Sequence, residues 1–346
     1  MQTVDSKRNK TIDSIKGLLI LFVIFGHINI DIKTRRLLLA PFWENSAVPM
    51  FMLISGYLYT KSYKKNNIST LKEAYSIRLL LKKMLRFFVP YTLFFIFEVL
   101  FYVIAGSPFV TNFIKLKLST QFPSENYVPK INSLLLMFIR GGEGPGSYYV
   151  PLMFEFILIF PLVYFLIKKE KKKGIIICAL ITTLYDLVYT YLGVHFHASI
   201  NNIFYCLFVI SIGIYAALFE IDYKNKLIYV GMIMGIVYIL LVKYFDYTPL
   251  IYNASSSRGL PACLFWYPII TYLISNNTFY NRFLSYLGKM SFDILLVQKV
   301  FFIFLNVAVY YFVDNTFLQS IIIFSIIIIA SIIFNHFEKA ITKHII

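Results

Sequence analysis

Two residues in the first apolar stretch of the chain have types and a spacing that suit chemistry. Lys16 and His27 are eleven residues apart, which on an α-helix is about 16.5 Å and close to three turns, so both fall on one face. A cation at the inner end of such a helix can hold an anionic ligand. An imidazole deeper in, with an ordinary pKa of about 6.5, can take a proton from a hydroxyl as a general base. The same pair also has a purely structural reading. Lys16 can reach phospholipid headgroups while His27 hydrogen-bonds a neighbouring helix, and spacing alone leaves both readings open.

A second basic group is Lys82-Lys83-Met84-Leu85-Arg86, followed by Phe87-Phe88-Val89-Pro90-Tyr91. Lys83 and Arg86 are three apart and so neighbours on one helical face. Such a pair anchors a helix at the inner membrane surface, and it is also what a phosphate-bearing ligand arriving from the cytosol needs. No metal site is indicated. Cys178, Cys206 and Cys263 are odd in number and widely spaced in apolar runs, and His195 and His197 lack a third ligand nearby. The glycine-rich segment 141–147 reads as a flexible external loop, too irregular for a phosphate loop, and no His-Glu-x-x-His, nucleophile elbow or Walker sequence occurs.

These residues need a scaffold, and the composition says which kind. The 346-residue chain is 59% hydrophobic and 14% charged, with a mean hydropathy of +0.71. Soluble domains run near half apolar and about a quarter charged, so a soluble globular enzyme and a disordered chain are both excluded. Runs near the roughly 20 apolar residues of a membrane span occur at 12–30, 41–60, 84–106, 148–167, 174–193, 200–219, 227–242, 260–274, 290–312 and 317–335. The expected fold is an all-α polytopic integral membrane protein of about ten transmembrane helices. A single transmembrane domain, 12–335, lies between tails of 1–11 and 336–346, and 131–139 reads as an interfacial helix. Lys7, Arg8 and Lys10 precede the first run as in a signal peptide, but no small-x-small cleavage site follows, so a retained first helix is expected.

Lys and Arg outnumber Asp and Glu 33 to 17, for a formal net charge of +16. In a soluble protein that excess would point to nucleic acid. Here the basic residues cluster between apolar runs, so the excess reads as orientation and no nucleic-acid partner is expected. With ten spans, 21 Lys and Arg fall in the tails and the loops on their side and 9 on the other side. The positive-inside rule then puts both termini in the cytoplasm. A charge at mid-bilayer costs about 2.5–3.5 kcal/mol, yet the spans carry Lys16, His27, Glu44, Arg86, Glu98, Glu155, Asp186, Asp293 and Lys299. Glu44 and Lys299 read as snorkelling at an interface. The others imply a polar or water-filled interior, which a catalyst and a transporter both need.

Several segments resemble one family. Residues 11–27 (TIDSIKGLLILFVIFGH) are similar to the first helix of the acyltransferase-3 family, polytopic bacterial membrane proteins that acylate surface glycans. That helix carries a basic residue, ten residues, then a histidine; Lys16 stands where Arg is commoner. Residues 49–57 (PMFMLISGY) resemble the family's second span, which closes on Ser55-Gly56-Tyr57. Lys83-x-x-Arg86 before Pro90-Tyr91 resembles an Arg-x-x-Arg motif, again with one Lys. Residues 146–152 (GSYYVPL) and 287–298 (LGKMSFDILLVQ) resemble two later segments. The resemblance runs from about residue 8 to 335. Two positions depart from it: Gln298 and Ala47 stand where many members carry His.

The resemblance implies a membrane O-acyltransferase of the bacterial plasma membrane that uses acetyl-CoA or another acyl-CoA as co-substrate, without a metal. The acceptor would be a hydroxyl of a surface polysaccharide or a lipid-linked glycan, and membrane lipid and glycan-synthesis proteins would be its partners. His27 would be the catalytic base. Lys16, Lys83 and Arg86 would hold the CoA phosphates, and Ser55, Tyr57 or Tyr149 would contact the oxyanion or the acceptor. The chain lacks the soluble hydrolase-like domain of some members, so transfer is expected within the membrane domain or with a separate protein. The rival is a glycan or glycolipid flippase, with Glu98, Glu155, Asp186 and Asp293 serving proton coupling.

Overall fold

The structure is a computed structural model that describes residues 9–28, 30, 32–43, 46–105, 134–142, 144–192, 202–244 and 260–343. Glu44 and the pair His195 and His197 lie outside the described residues. Among those described, the regular structure is helical and no strand occurs. The long helices are α1 (Lys10–His27), α2 (Ala47–Lys65), α3 (Ile77–Ala105), α4 (Tyr149–Glu170), α5 (Lys172–Leu192), α6 (Leu207–Leu218), α7 (Lys226–Tyr244), α8 (Leu260–Asn276), α9 (Ser291–Phe312) and α10 (Thr316–Thr342). Each falls on one of the apolar runs read from the sequence. A 3-10 turn, Ile203–Cys206, leads into α6, and a short helix, Leu134–Ile139, takes part of the segment expected to be interfacial.

Three described stretches are long and apolar enough to cross a membrane: Leu71–Phe101, which includes most of α3, then α4 and α10. Isoleucines and leucines along them, such as Ile96, Leu100, Leu158, Leu162, Ile329 and Ile333, are exposed. Apolar surface on that scale is what lipid covers, and the chain is a membrane protein. Helix ends follow local chemistry. Asn281 and Asn315 each accept a backbone N–H three residues on, from Leu284 and Leu318, both at 3.0 Å. Thr70 and Glu73 close a capping box over the four-residue helix Leu71–Ala74.

The described chain divides into two compact units. One comprises Met1–Gly26, Asp31–Leu80 and Glu155–Ser291. Its helices meet at glycines. A Cβ on Gly17 would overlap the Leu284 carbonyl, and a Cβ on Gly288 would overlap the Asp13 carbonyl, so α1 and the helix Arg282–Lys289 cross backbone to backbone. Gly56 on α2 faces the Ile210 carbonyl, and Gly213 on α6 faces that of Leu53. Without a hydrophobic driving force in lipid, such small-residue crossings hold helices by close packing. Ser14 adds a polar tie, accepting the Asn281 N–H at 3.1 Å.

The other unit comprises His27–Ile30, Leu81–Phe154 and Phe292–Ile346. Its core is Tyr91, Phe94, Val150, Leu296, Val297 and Val300, with Phe95, Phe138 and Phe334 against it. The helix Leu134–Ile139 ends in a Schellman turn: Gly142 N–H donates to the Met137 carbonyl at 2.8 Å and Gly141 N–H to that of Phe138 at 3.1 Å. Gly141 has a φ of 90°, a conformation that glycine adopts without a steric cost.

Candidate functional site

His27 closes α1, an unbroken helix that also carries Lys16. Both side chains are half-buried, and their spacing sets them on one helical face. The imidazole faces the ring of Phe302 with centroids 5.7 Å apart and planes tilted by 59°. Phe302 is 1% exposed and belongs to α9. One turn earlier on the same face of α9 stands Gln298, fully buried. Gly146, with a φ of 86°, runs beside the Gln298 amide.

Lys83 and Arg86 lie on α3, Lys83 half-buried and Arg86 exposed. Tyr149 opens α4, buried, with its N–H donating to the Gly146 carbonyl at 3.0 Å. These three residues share a compact unit with His27. Lys16, Ser55 and Tyr57 belong to the other unit. Ser55 and Tyr57 are half-buried on α2, and the Lys61 ammonium sits 5.4 Å above the Tyr57 ring.

The charges within the apolar runs resolve differently from the sequence expectation. Lys299 does not snorkel: it is 0% exposed and pairs with Glu98 at 2.7 Å. Its ammonium also donates to the Gly141 carbonyl at 2.7 Å and lies 5.3 Å from the Tyr91 ring centroid. The reason is geometric, because α9 is buried along its first turns and offers the lysine stem no path to water. The segment 141–147, expected to be a flexible loop, is thereby tied down at Gly141. Asp293 accepts from the Asn335 amide, and Lys339 donates to the Asn335 carbonyl oxygen at 2.8 Å. Glu155 accepts the Ile203 N–H at 2.8 Å and so caps the 3-10 turn.

Acids and bases at these positions therefore build the interior. Among the described residues no cluster of three or more His, Cys, Asp or Glu could hold a metal ion. What the arrangement offers chemically is a half-buried imidazole against an aromatic wall, on a helix that carries a cation three turns away.

A comparison with known families decides the class. The sequence model of the acyltransferase domain of acyltransferase-3 matches residues 9–336. The chain belongs to the acyltransferase-3 family. No curated protein and no solved structure matches it. Within this acyltransferase-3 chain the matched motifs divide by role. Gly17, Gly56 and Gly288 sit at helix crossings, and Phe292 packs its ring 5.2 Å from that of Phe87. Two features escaped the sequence reading. Glu98 and Lys299 were each visible as charges in apolar runs, and their opposite signs were the available signal for a pair. Gln298 was visible only as a departure from the family pattern.

Proposed function

We propose that this acyltransferase-3 protein moves an acyl group, acetyl first among the candidates, from cytosolic acyl-CoA to a hydroxyl of a cell-surface or lipid-linked glycan. The observation that carries the reading is the family match over residues 9–336 together with Lys16 and His27 on one face of an unbroken helix. In this reading the ten long helices are ten spans of the bacterial plasma membrane, with both termini cytoplasmic. Membrane lipid surrounds them, and glycan-synthesis proteins are the natural protein partners.

Lys83 and Arg86, with Lys16, hold the CoA phosphates at the inner surface. The pantetheine arm then runs outward over a length comparable to the rise from Lys16 to His27. His27 takes the sugar hydroxyl's proton as its oxygen attacks the thioester carbonyl. A C–O bond forms, the C–S bond breaks, and the imidazolium returns the proton to the departing thiolate. Such general-base assistance contributes typically about 10²–10⁴-fold in rate. Ser55, Tyr57 and Tyr149 are the hydroxyl-bearing candidates for the oxyanion or the acceptor.

The flippase alternative assigns proton coupling to the acids in the apolar runs. Glu98, Glu155 and Asp293 each have a structural partner, which favours the enzyme. The test is proton NMR of surface polysaccharide from strains carrying wild-type protein, His27→Ala and a deletion. The expected result is an O-acetyl signal in the wild type that both other strains lack, with His27→Ala protein present at normal abundance. An O-acetyl signal of wild-type size in the deletion strain would overturn the reading.

A further inference from the structure

The Gln298 side chain is 0% exposed, and among the described residues neither its Nε2 nor its Oε1 has a hydrogen-bond partner. Buried amides are almost always bonded, because each unmade bond leaves the full desolvation cost unreturned. Apolar side chains fill the neighbouring positions Leu295, Leu296 and Val297, so an apolar residue at 298 would have suited the packing. The amide has a neighbour of an unusual kind. A Cβ built on Gly146 would meet Nε2 at 3.8 Å, an ordinary van der Waals contact, so the backbone of this turn runs against the amide. One turn further along α9, Phe302 meets the His27 ring.

We propose that Gln298 binds the acceptor sugar, its amide bridging two vicinal hydroxyls beside the proton-abstracting His27. The inference rests on the acyl-transfer reading and adds the group that recognises the acceptor. The choice of ligand follows from which atoms are unmet. A primary amide presents one carbonyl oxygen and one N–H side by side, so its ligand must offer a donor and an acceptor side by side. Vicinal hydroxyls on a sugar ring do so. The thioester carbonyl supplies only an acceptor. The amides of the pantetheine arm are planar and trans, with N–H and C=O pointing opposite ways, so one of them cannot satisfy both atoms.

The test compares wild-type protein with Gln298→Met, which keeps the length of the side chain and removes both polar atoms. The probe is surface polysaccharide of the producing strain, de-O-acylated with mild base and cut to oligosaccharides. With full-length protein in proteoliposomes and labelled acetyl-CoA, the variant is expected to raise the KM for oligosaccharide about tenfold or more and to leave the KM for acetyl-CoA unchanged. In detergent, saturation-transfer NMR should show ring-proton contacts that weaken several-fold in Gln298→Met. The melting temperature should stay level or rise, because an apolar replacement removes a buried unmet amide. A lower melting temperature with unchanged sugar contacts would overturn the inference, as would an equal rise in both KM values. If wild-type protein binds the oligosaccharide through Gln298 yet transfers no label, the acyl-transfer reading fails and the sugar contact stands.

Discussion

The ammonium of Lys299 lies 2.7 Å from a carboxylate oxygen of Glu98, and both side chains are 0% exposed. Two ions in a low-dielectric interior each lose several kcal/mol of hydration, and only good geometry with further bonds returns it. Here the Gly141 carbonyl and the faces of Tyr91 and Phe94 complete the surroundings of the ammonium.

Removing one partner should therefore cost far more than removing both. Lys299→Met or Glu98→Leu alone is expected to destabilise the protein by about 3–5 kcal/mol, and the double variant by much less. Thermal unfolding in detergent, followed by tryptophan fluorescence, measures all three. A double variant that loses as much as the two singles combined would contradict this account.

The glycine crossings make a prediction with an internal control. Gly288→Ala drives a methyl into the Asp13 carbonyl, and Gly17→Ala drives one into that of Leu284. Backbone cannot yield as a side chain does, so each should cost about 1–3 kcal/mol. Among the described residues Gly231→Ala on α7 meets only Leu264 Cδ2, at 3.7 Å, and should gain up to about 1 kcal/mol from helix propensity. Expressed yield and melting temperature rank the three, and a Gly288→Ala protein as stable as Gly231→Ala would refute the close crossing.

Lys83→Ala together with Arg86→Ala should weaken acetyl-CoA binding about tenfold or more, since charge-assisted bonds to phosphate are the strong ones. Titration with labelled acetyl-CoA at two salt concentrations reads this directly, with the wild-type affinity falling as salt rises. An unchanged affinity in the double variant would end the phosphate-clamp assignment.

His27→Ala should lower the rate of acyl transfer by about 10²–10⁴-fold while acetyl-CoA affinity stays within about twofold. Single-turnover kinetics in proteoliposomes separate the two quantities. Loss of binding and rate together would assign His27 to holding the donor instead.

The long helices were legible because each apolar run must be covered, and a backbone in lipid must bond to itself. Their ends were less so. The third run reads from residue 84, yet α3 starts at Ile77 and runs through Lys82 and Lys83, because a helix need not stop where the lipid does. The shared face of Lys16 and His27 followed from spacing within one helix. Lys299 was misread because its partner is 201 residues away, and periodicity reports only local neighbours. The Phe302 ring against His27 was hidden for the same reason. Gln298 looked like a mere substitution until its burial showed an amide with two unmet atoms.

The distance along the chain between Glu98 and Lys299 also sets an order of assembly. Glu98 leaves the ribosome 201 residues ahead of its partner, and at about 5–20 residues per second that is a wait of roughly 10–40 s. For that interval the third helix carries an acid whose counter-ion has not been synthesised. The third helix is thus finished in length before it is finished in charge. The ninth helix, on arrival, locks both the acid and the glycine turn at Gly141 in a single step, so a nascent chain halted before residue 299 should still be open at this point.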